Sequence, residues 1–600
     1  MVGPTVQDDI FSILARFREH NYILTGDIEK MYRQILIHPS QRHLQIILWR
    51  ENMHEPMKYL QLNTVTYGTS SAPFLSTRCL IQLALECQDP VIKQVMLHDF
   101  YVDDLNTGHS DESSLKYIYE QVTERLNSAG FNLRKIKSNS MELLNFISNE
   151  TNSEKEQEKL KLSTATNILG IEWDPNIDCI LMSVSKCPNS NDIENFTKRT
   201  ILSISSSIFD PLGLLSVCTI TCKIILQSLW TQNVGWDDKI PHTISEMWQK
   251  FIAKLACLKK LTIPRHAMCA NPIVIELHVF SDASLKAYAA CVYVLSRDAL
   301  GNTTVRLLCA KSKVAPLKAT TTPRLELCGA LLASRLCDKV CKTLRCSISE
   351  KHFWCDSKIV LGWLSLPSNK LGTFVSHRVA EVNELCCNAR WMYVPSSCNP
   401  ADLASRGVYP DEVQSLSLWW EGPAFLTLSV EHWPTRQGGD TQTSLPEIRT
   451  HVVKCDSANT KNSVIEFEKH SSFLKLRRIM AYVCRFIHNC KSKNVDDRNY
   501  NDLNADELKT SELKLARLAQ IECLSNHKNN NYKDLPSLYN LSPVMDETGL
   551  IRVGGRIDNS DYLLDKKHPI VIDGKHHYST LIFQYYQAYA CGSTVATFSR

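Results

Sequence analysis

The sequence predicts an α/β and α+β multidomain protein, and three observations carry that expectation. The chain has 600 residues, enough for roughly three to five domains of ordinary size. Short apolar runs that end in an acidic residue alternate with longer stretches of helical period. Polar stretches interrupt the pattern at 148–164, 435–463, 491–511 and 526–534, where the composition suits linkers or exposed loops.

Composition narrows the class. Hydrophobic residues at 44% and charged residues at 22% are ordinary for a chain that buries several cores. A net charge of +4 does not mark a nucleic-acid binder, although a local basic groove is invisible in the sum. The 23 cysteines include no C-x-x-C pair, so they read as reduced, mostly buried thiols of an intracellular protein. MVGPTVQDDIFS is no signal peptide, and PLGLLSVCTITC, closed by Asp210 and Lys223, is too short to span a bilayer. The expectation is a soluble chain without a membrane partner, in a cytoplasmic particle or the nucleus.

The first elements set up a carboxylate group. YILTGDIEKMY, 22–32, is a short apolar strand ending at Asp27, with Tyr32 five residues later. MLHDFYVDDLNTG, 96–108, sets Asp103 beside Asp104 between an apolar run and a turn. Alone, such a pair is most often a surface turn. Joined by Asp27 from a neighbouring strand, it becomes a place for hard cations, which take carboxylate oxygens. In the next segment Leu115, Ile118, Tyr119, Val122 and Leu126 share one helical face, Gly130 suits the C-terminal cap, and FNLRKI reads as a strand.

A second acidic set follows. PIVIELHVFSDAS ends a strand at Asp282, and LKAYAACVYVLS and VRLLCAKSKVAP are two more strands. RLELCGALLASRLCDKVCKTL is a helix carrying Glu326, HFWCDSKIVLGWL puts Asp356 at a strand end, and ARWMYVPSSCNPADLASRG carries Asp402. Singly, each acid reads equally well as a surface charge. Three strands, helix, strand, helix, strand and helix is the ribonuclease H order. Lys311, Lys313, Lys318, Arg324, Arg335, Lys339 and Lys342 flank the Glu-bearing helix and could bind phosphates or simply solvate its face.

These motifs resemble one family. FYVDDL is similar to the catalytic hairpin of reverse transcriptases, DIEKMY to their first palm motif, TYGTSSAPFLSTRCL to the nucleotide-pocket motif, GFNLRK to the fourth palm motif and LGIEW to the primer grip. ILARFREHNYILTGDIEKMYRQI, SIFDPLGLLS, VGWDDKIP and WWEGPAFL resemble the Pol polyprotein of BEL/Pao long-terminal-repeat retrotransposons, over nearly the whole chain. SDAS, TPRLEL, CDS and NPADLASRG resemble the ribonuclease H domain of the same elements.

The resemblance implies a reverse-transcriptase palm at 1–150 with fingers largely missing, and a thumb or connection region at 151–265 within the Pao-type segment. A ribonuclease H-like mixed sheet with helices follows at 268–410, then a linker and helical connector at 411–510. The small helical region at 511–600 resembles part of an integrase zinc-binding domain, truncated. Asp27 and Asp103 carry over as metal ligands, with Asp104 as the neighbouring catalytic carboxylate. Asp282, Glu326, Asp356 and Asp402 carry over as the ligands of the second site. Tyr32 matches the aromatic gate; Gly68, Ser70, Ser71 and Pro73 match the nucleotide and template contacts; Lys135 matches the group that assists pyrophosphate departure; and Asn399 supports the loop near the substrate. Two Mg2+ per active site are implied, with Mn2+ able to substitute.

The implied partners are an RNA template, a DNA primer, an RNA–DNA hybrid and deoxynucleoside triphosphates; the oligomeric state stays open. No zinc is expected. GLIRVGGRI and KHPIVIDGKHHYSTLI match the start of the zinc-binding region, but Tyr585, Tyr586, Gln587 and Cys591 stand where its histidines would be, and His576 and His577 read as packing residues. The leading expectation is an RNA-directed DNA polymerase with ribonuclease H activity. The alternatives are a relic competent only as ribonuclease H, and a non-catalytic nucleic-acid-binding fragment.

Overall fold

Strand β1 (Tyr22–Ile28) is buried along its middle, from Ile23 to Thr25, because it lies inside a sheet rather than at its edge. The computed structural model describes residues 3–150, 165–182, 184, 196–386, 389–434, 445–448, 465–492, 498–525, 541–554 and 567–590. The expected linkers at 148–164, 435–463 and 526–534, and Cys591, fall largely or wholly outside them. The chain divides into two units, 1–452 and 453–600.

The first unit opens with β1, followed by β2 (Ile46–Trp49), β3 (Lys58–Gln61), β4 (Phe100–Tyr101), β5 (Asp104–His109) and β6 (Leu133–Ser138). Four of them make an antiparallel sheet in the order β4-β5-β1-β6. The helix Glu112–Ser128 forms as its period predicts. Leu115, Ile118, Val122 and Leu126 face inward, the Asp111 carboxylate accepts from the Ser114 N–H at 2.8 Å, and Gly130 turns the chain at φ +77°. Strands β2 and β3 form a separate ribbon that is exposed along its length, although Ile46, Ile47, Leu48 and Trp49 are apolar.

The same unit contains β7 (Thr166–Ile168), β8 (Ile171–Asp174), β9 (Cys179–Leu181) and β10 (Thr262–Pro264), in the order β10-β9-β8-β7. Next come β11 (Val274–Ala283), β12 (Ala287–Arg297), β13 (Thr303–Val314), β14 (Glu350–Cys355) and β15 (Arg390–Tyr393). They make a mixed sheet in the order β13-β12-β11-β14-β15, with β14 parallel to both β11 and β15. Every residue of β11 from Leu277 to Ala283 is buried, so both faces are covered. The helices Thr322–Thr343 and Pro400–Arg406 both pack on β11 and β12.

Residues 196–264, expected as a connection region, share one apolar core with this sheet: Ile201, Val217, Ile225 and Trp248 join Leu277, Phe280 and Tyr293. The turn before the helix Ser216–Thr231 shows how they dock. Both Asp210 carboxylate oxygens accept backbone N–H groups, of Leu214 and Leu215 at 2.8 Å each, and burial pushes that carboxyl up to about 6. Gly213 sits at φ +73°, and a Cβ there would overlap the carbonyl oxygen of Ala310 on β13.

In the second unit, the helices Phe473–Lys491, Ala505–Ser525 and His577–Ala590 share a core of Phe473, Leu476, Leu515, Tyr578 and Leu581 with Leu550. Its two short strands are β16 (Val544–Met545) and β17 (Ile551–Arg552). Among the described residues no helix is long and apolar enough to cross a membrane.

Candidate active sites

The strand register brings the first aspartates together. Asp27 on β1 faces Asp104 on β5, and the Ile28 N–H donates to the Asp103 carbonyl at 2.9 Å. The turn between β4 and β5 is forced through Val102 at φ +56°, a left-handed conformation that a β-branched residue rarely adopts. Its N–H donates to Gln7 Oε1 at 3.1 Å, and the Thr77 hydroxyl reaches the same oxygen at 3.4 Å. Gln7 therefore ties the hairpin tip to the helix Ala72–Leu85.

The charge at this site is incompletely neutralised. Burial, then the charges of Asp103 and Asp27, pushes the Asp104 carboxyl up to about 6. Burial raises Asp103 too, with Asp27 adding to it. Lys135 Nζ lies 2.5 Å from Asp27 Oδ2, from a backbone at φ +54° beside an irregularity in the β1–β6 pairing. Tyr32 is half-buried, with its ring 6.5 Å from that of Tyr67. Gly68 turns at φ +86°, Ser70 and Pro73 are exposed, and Ser71 precedes the helix Ala72–Leu85.

The second set converges at one end of the mixed sheet. Ser281 pairs with Cys355 across the parallel β11–β14 ladder, so Asp282 and Asp356 come next on adjacent strands. The Ser405 hydroxyl donates to Asp282 Oδ2 at 2.5 Å, and the Ser396 hydroxyl to Asp356 Oδ2 at 2.7 Å. Burial, reinforced by Asp356 and Asp402, pushes the Asp282 carboxyl up to about 7. Burial raises Glu326, with Asp356 adding, and raises Asp356, with Asp402 adding. Asp282, Glu326 and Asp356 are thus each raised in part by another acid of the set. Asp402 is held by Arg406 Nε at 2.5 Å.

One atom fits a cation. Asp356 Oδ1 is buried without a hydrogen-bond partner. A buried carboxylate oxygen without a donor is costly unless a cation meets it. The oxygen-only donor set suits a hard divalent ion.

Asn399, expected to support the loop near the substrate, does so from within. It is fully buried, donates to the Ser281 carbonyl at 3.1 Å, and caps the helix Pro400–Arg406 through the Ala401 N–H at 3.2 Å. It also lies close enough to Asp356 to lower that carboxyl, without making a hydrogen bond to Oδ1. Its place is inside the wall, not at the surface a substrate would touch. The basic set divides as well. Arg324 pairs with Glu447, Arg335 with Glu381, Lys339 with Asp9 and Lys342 with Asp338, whereas Lys311, Lys313 and Lys318 are exposed.

Sequence reasoning passed over one group of metal-ligand type. Ligand atoms of Glu276, His278 and His352 lie within 4.8 Å of one another. The Trp354 indole, which only donates, gives its N–H to His278 Nδ1 at 3.2 Å. The His278 proton therefore sits on Nε2, facing Glu276 Oε2 at 3.3 Å. A metal-bound histidine usually shows the opposite pattern, donating its second N–H to an acceptor. The group is a hydrogen-bonded part of the core. In the second unit, His577 Nε2 meets the His470 carbonyl at 2.8 Å, and the His576 ring packs on Phe467 with centroids 4.8 Å apart.

Residues 4–172 match the family model for reverse transcriptase (RNA-dependent DNA polymerase), and residues 197–357 match that for the Pao retrotransposon-like RNaseH-like domain. The two matches together are consistent with a fragment of a Pao-type retrotransposon Pol protein. No curated protein matches. Similar solved structures include the foamy viral protease–reverse transcriptase in complex with an RNA/DNA hybrid, at 16% identity and a TM-score of 0.40, covering 66% of this chain and 46% of that one. Another is its dRH form in complex with double-stranded DNA, at 16% identity and a TM-score of 0.41, covering 66% and 60%. The chain thus spans less than two thirds of either solved protein. The reverse-transcriptase match holds Asp27, Asp103 and Asp104, and the Pao-type match holds Asp282, Glu326 and Asp356. Asp402 lies beyond it and joins the others through folding.

Proposed function

We propose that this chain is an RNA-directed DNA polymerase with ribonuclease H activity. One observation carries the reading: two separate carboxylate groups, in which burial raises Asp103 and Asp104 at the first and Asp282, Glu326 and Asp356 at the second, where Asp356 Oδ1 is buried without a hydrogen-bond partner. In the palm, Asp27 and Asp103 would hold the cations and Asp104 lies beside them. In the ribonuclease site, Asp282, Glu326, Asp356 and Asp402 would hold them. When bound, two divalent cations at each site, Mg2+ or Mn2+, supply activation of the attacking oxygen and stabilisation of the leaving one.

The chain's own residues do the rest. Tyr32 and the Gly68–Pro73 turn border the incoming deoxynucleoside triphosphate. Lys135, already beside the aspartates, supplies positive charge near the departing pyrophosphate. Exposed Lys311, Lys313 and Lys318 bind backbone phosphates of the hybrid without reading bases. RNA template, DNA primer and RNA–DNA hybrid are the partners. The domain limits proposed above for the palm, connection, ribonuclease, linker and integrase-like regions stay part of this reading.

Magnesium-dependent primer extension on an RNA template tests the polymerase, with wild type beside Asp103→Asn. Extension by wild type alone supports it. A ribonuclease-only reading is favoured by one contrast: Lys135 already neutralises Asp27, whereas Asp356 Oδ1 is unpartnered. Hybrid cleavage without extension would select that alternative. Hybrid binding without either reaction would select the non-catalytic one.

A further inference from the structure

Arg345 lies just past the helix Thr322–Thr343, outside the stretch that matches reverse transcriptase, yet its side chain ends at the base of the palm hairpin. Its Nη1 donates to Asp99 Oδ2 at 2.9 Å and its Nη2 to Asp99 Oδ1 at 2.8 Å. Arg16 Nε donates to Asp99 Oδ1 at 3.1 Å, and the Thr107 hydroxyl to Asp99 Oδ2 at 2.8 Å. Asp99 is 1% exposed. It directly precedes β4, and its carbonyl accepts the Asn106 N–H at 2.8 Å. Backbone and side chain of Asp99 therefore clamp both legs of the hairpin that carries Asp103 and Asp104.

The donor is itself held from the palm side. The Glu19 carboxylate accepts the Arg345 N–H at 2.9 Å and the Cys346 N–H at 2.5 Å. The loop cannot shift without moving the guanidinium. Arg16 already offers the palm's own charge to Asp99. The second guanidinium adds direction: a planar fork on a carboxylate fixes orientation, which a single ammonium does not.

We propose that Arg345 is a positioning residue for the polymerase hairpin. Through its fork on Asp99, the ribonuclease-type sheet and its helix set where Asp103 and Asp104 stand. This rests on the polymerase reading, and the test separates the two.

The test uses the full chain as wild type, Arg345→Lys and Arg345→Met, followed by amide hydrogen exchange. Exchange across Phe100–His109 is expected to quicken by about tenfold in Arg345→Met and by less in Arg345→Lys, while β11–β13 keep their wild-type rates. Single-nucleotide extension at saturating triphosphate is expected to fall by about tenfold or more with KM changed less than about twofold, since small misplacements act on the chemical step. Hybrid cleavage in the same samples stays at the wild-type rate. Unchanged hairpin exchange in both variants would overturn the proposal. So would acceleration spread evenly over both sheets in both variants, the mark of an ordinary structural ion pair. A wild type that extends no primer would refute the polymerase reading, and the exchange data would still decide the clamp.

Discussion

Asp282 shows what a single side chain can reveal about a site's purpose. Burial, then Asp356 and Asp402, pushes its carboxyl up to about 7. A raised folded-state pKa gives stability that is full below the unfolded value of about 3.9 and is lost as pH rises through about 7. At pH 8 the ionised cluster therefore works against folding unless a cation is present. Asp282→Asn is expected to raise the melting temperature at pH 8 by several degrees while abolishing hybrid cleavage, and to leave it nearly unchanged at pH 4. Added Mg2+ should stabilise wild type more than the variant at pH 8. Thermal melts at the two pH values check this, and equal melting temperatures at pH 8 would contradict it. The acids themselves were legible because each ends a strand or opens a helix inside a recognisable phrase. Arg345 was not, since its partner Asp99 lies 246 residues away and only folding joins them. Gln7 was hidden for the same reason. Asn399 carried a local signal, an asparagine before Pro400 at a helix start, which marks an N-cap rather than a substrate contact.

Elements were legible where period and boundary residues agreed. The helix Glu112–Ser128 and strands β11 to β14 follow their sequence patterns. The helix Ser216–Thr231 is different: Val217, Cys218, Ile220, Cys222, Ile225 and Leu229 are buried around much of its circumference. Such a pattern announces burial but not the partner, so its place on β13 could not be read. The β2–β3 ribbon fails in the other direction, because a run such as IILW predicts a covered strand and its residues are exposed. Gly213 is the element-scale test of how that helix docks. At φ +73° it is strained for any other residue, and a Cβ would also meet the Ala310 carbonyl. Gly301, at φ +86°, has nothing within 4 Å of its Cβ position. Gly301→Ala should therefore cost only the backbone term, about 1–2 kcal/mol. Gly213→Ala adds overlap with a strand that cannot retreat and should cost about 3–5 kcal/mol. Urea unfolding of both variants measures the difference, and equal losses would mean that the close approach to β13 is not what requires glycine.

At the scale of the molecule, two buried arginines join palm and ribonuclease-type sheet inside the first unit. Arg18 Nη1 donates to the Leu307 and Leu308 carbonyls at 2.7 and 2.8 Å, and its Nε to the Arg265 carbonyl at 3.0 Å. Arg265 returns the contact, donating to the carbonyls of Phe17, His20 and Asn21 at 2.6, 2.7 and 2.8 Å and pairing with Asp178. Burial pushes the Arg18 guanidinium down to about 9, which still leaves it charged at neutral pH. Each carbonyl that loses such a donor while buried costs about 1–3 kcal/mol. A joint of this kind is a rigid seam rather than a hinge, so both sheets should open together. Native-state hydrogen exchange on wild type should give similar opening free energies for slow amides in β1 and in β11–β12. Arg18→Met keeps much of the side-chain volume but removes the donors. The palm has the smaller core of the two, so its amides should then exchange first, by a sub-global opening of about 2–4 kcal/mol less than before, while β11 and β12 change little. If both sheets instead lose protection equally, the seam serves the fold as a whole. Palm and ribonuclease-type sheet would then be one cooperative body, with no separable opening through which either site could act alone.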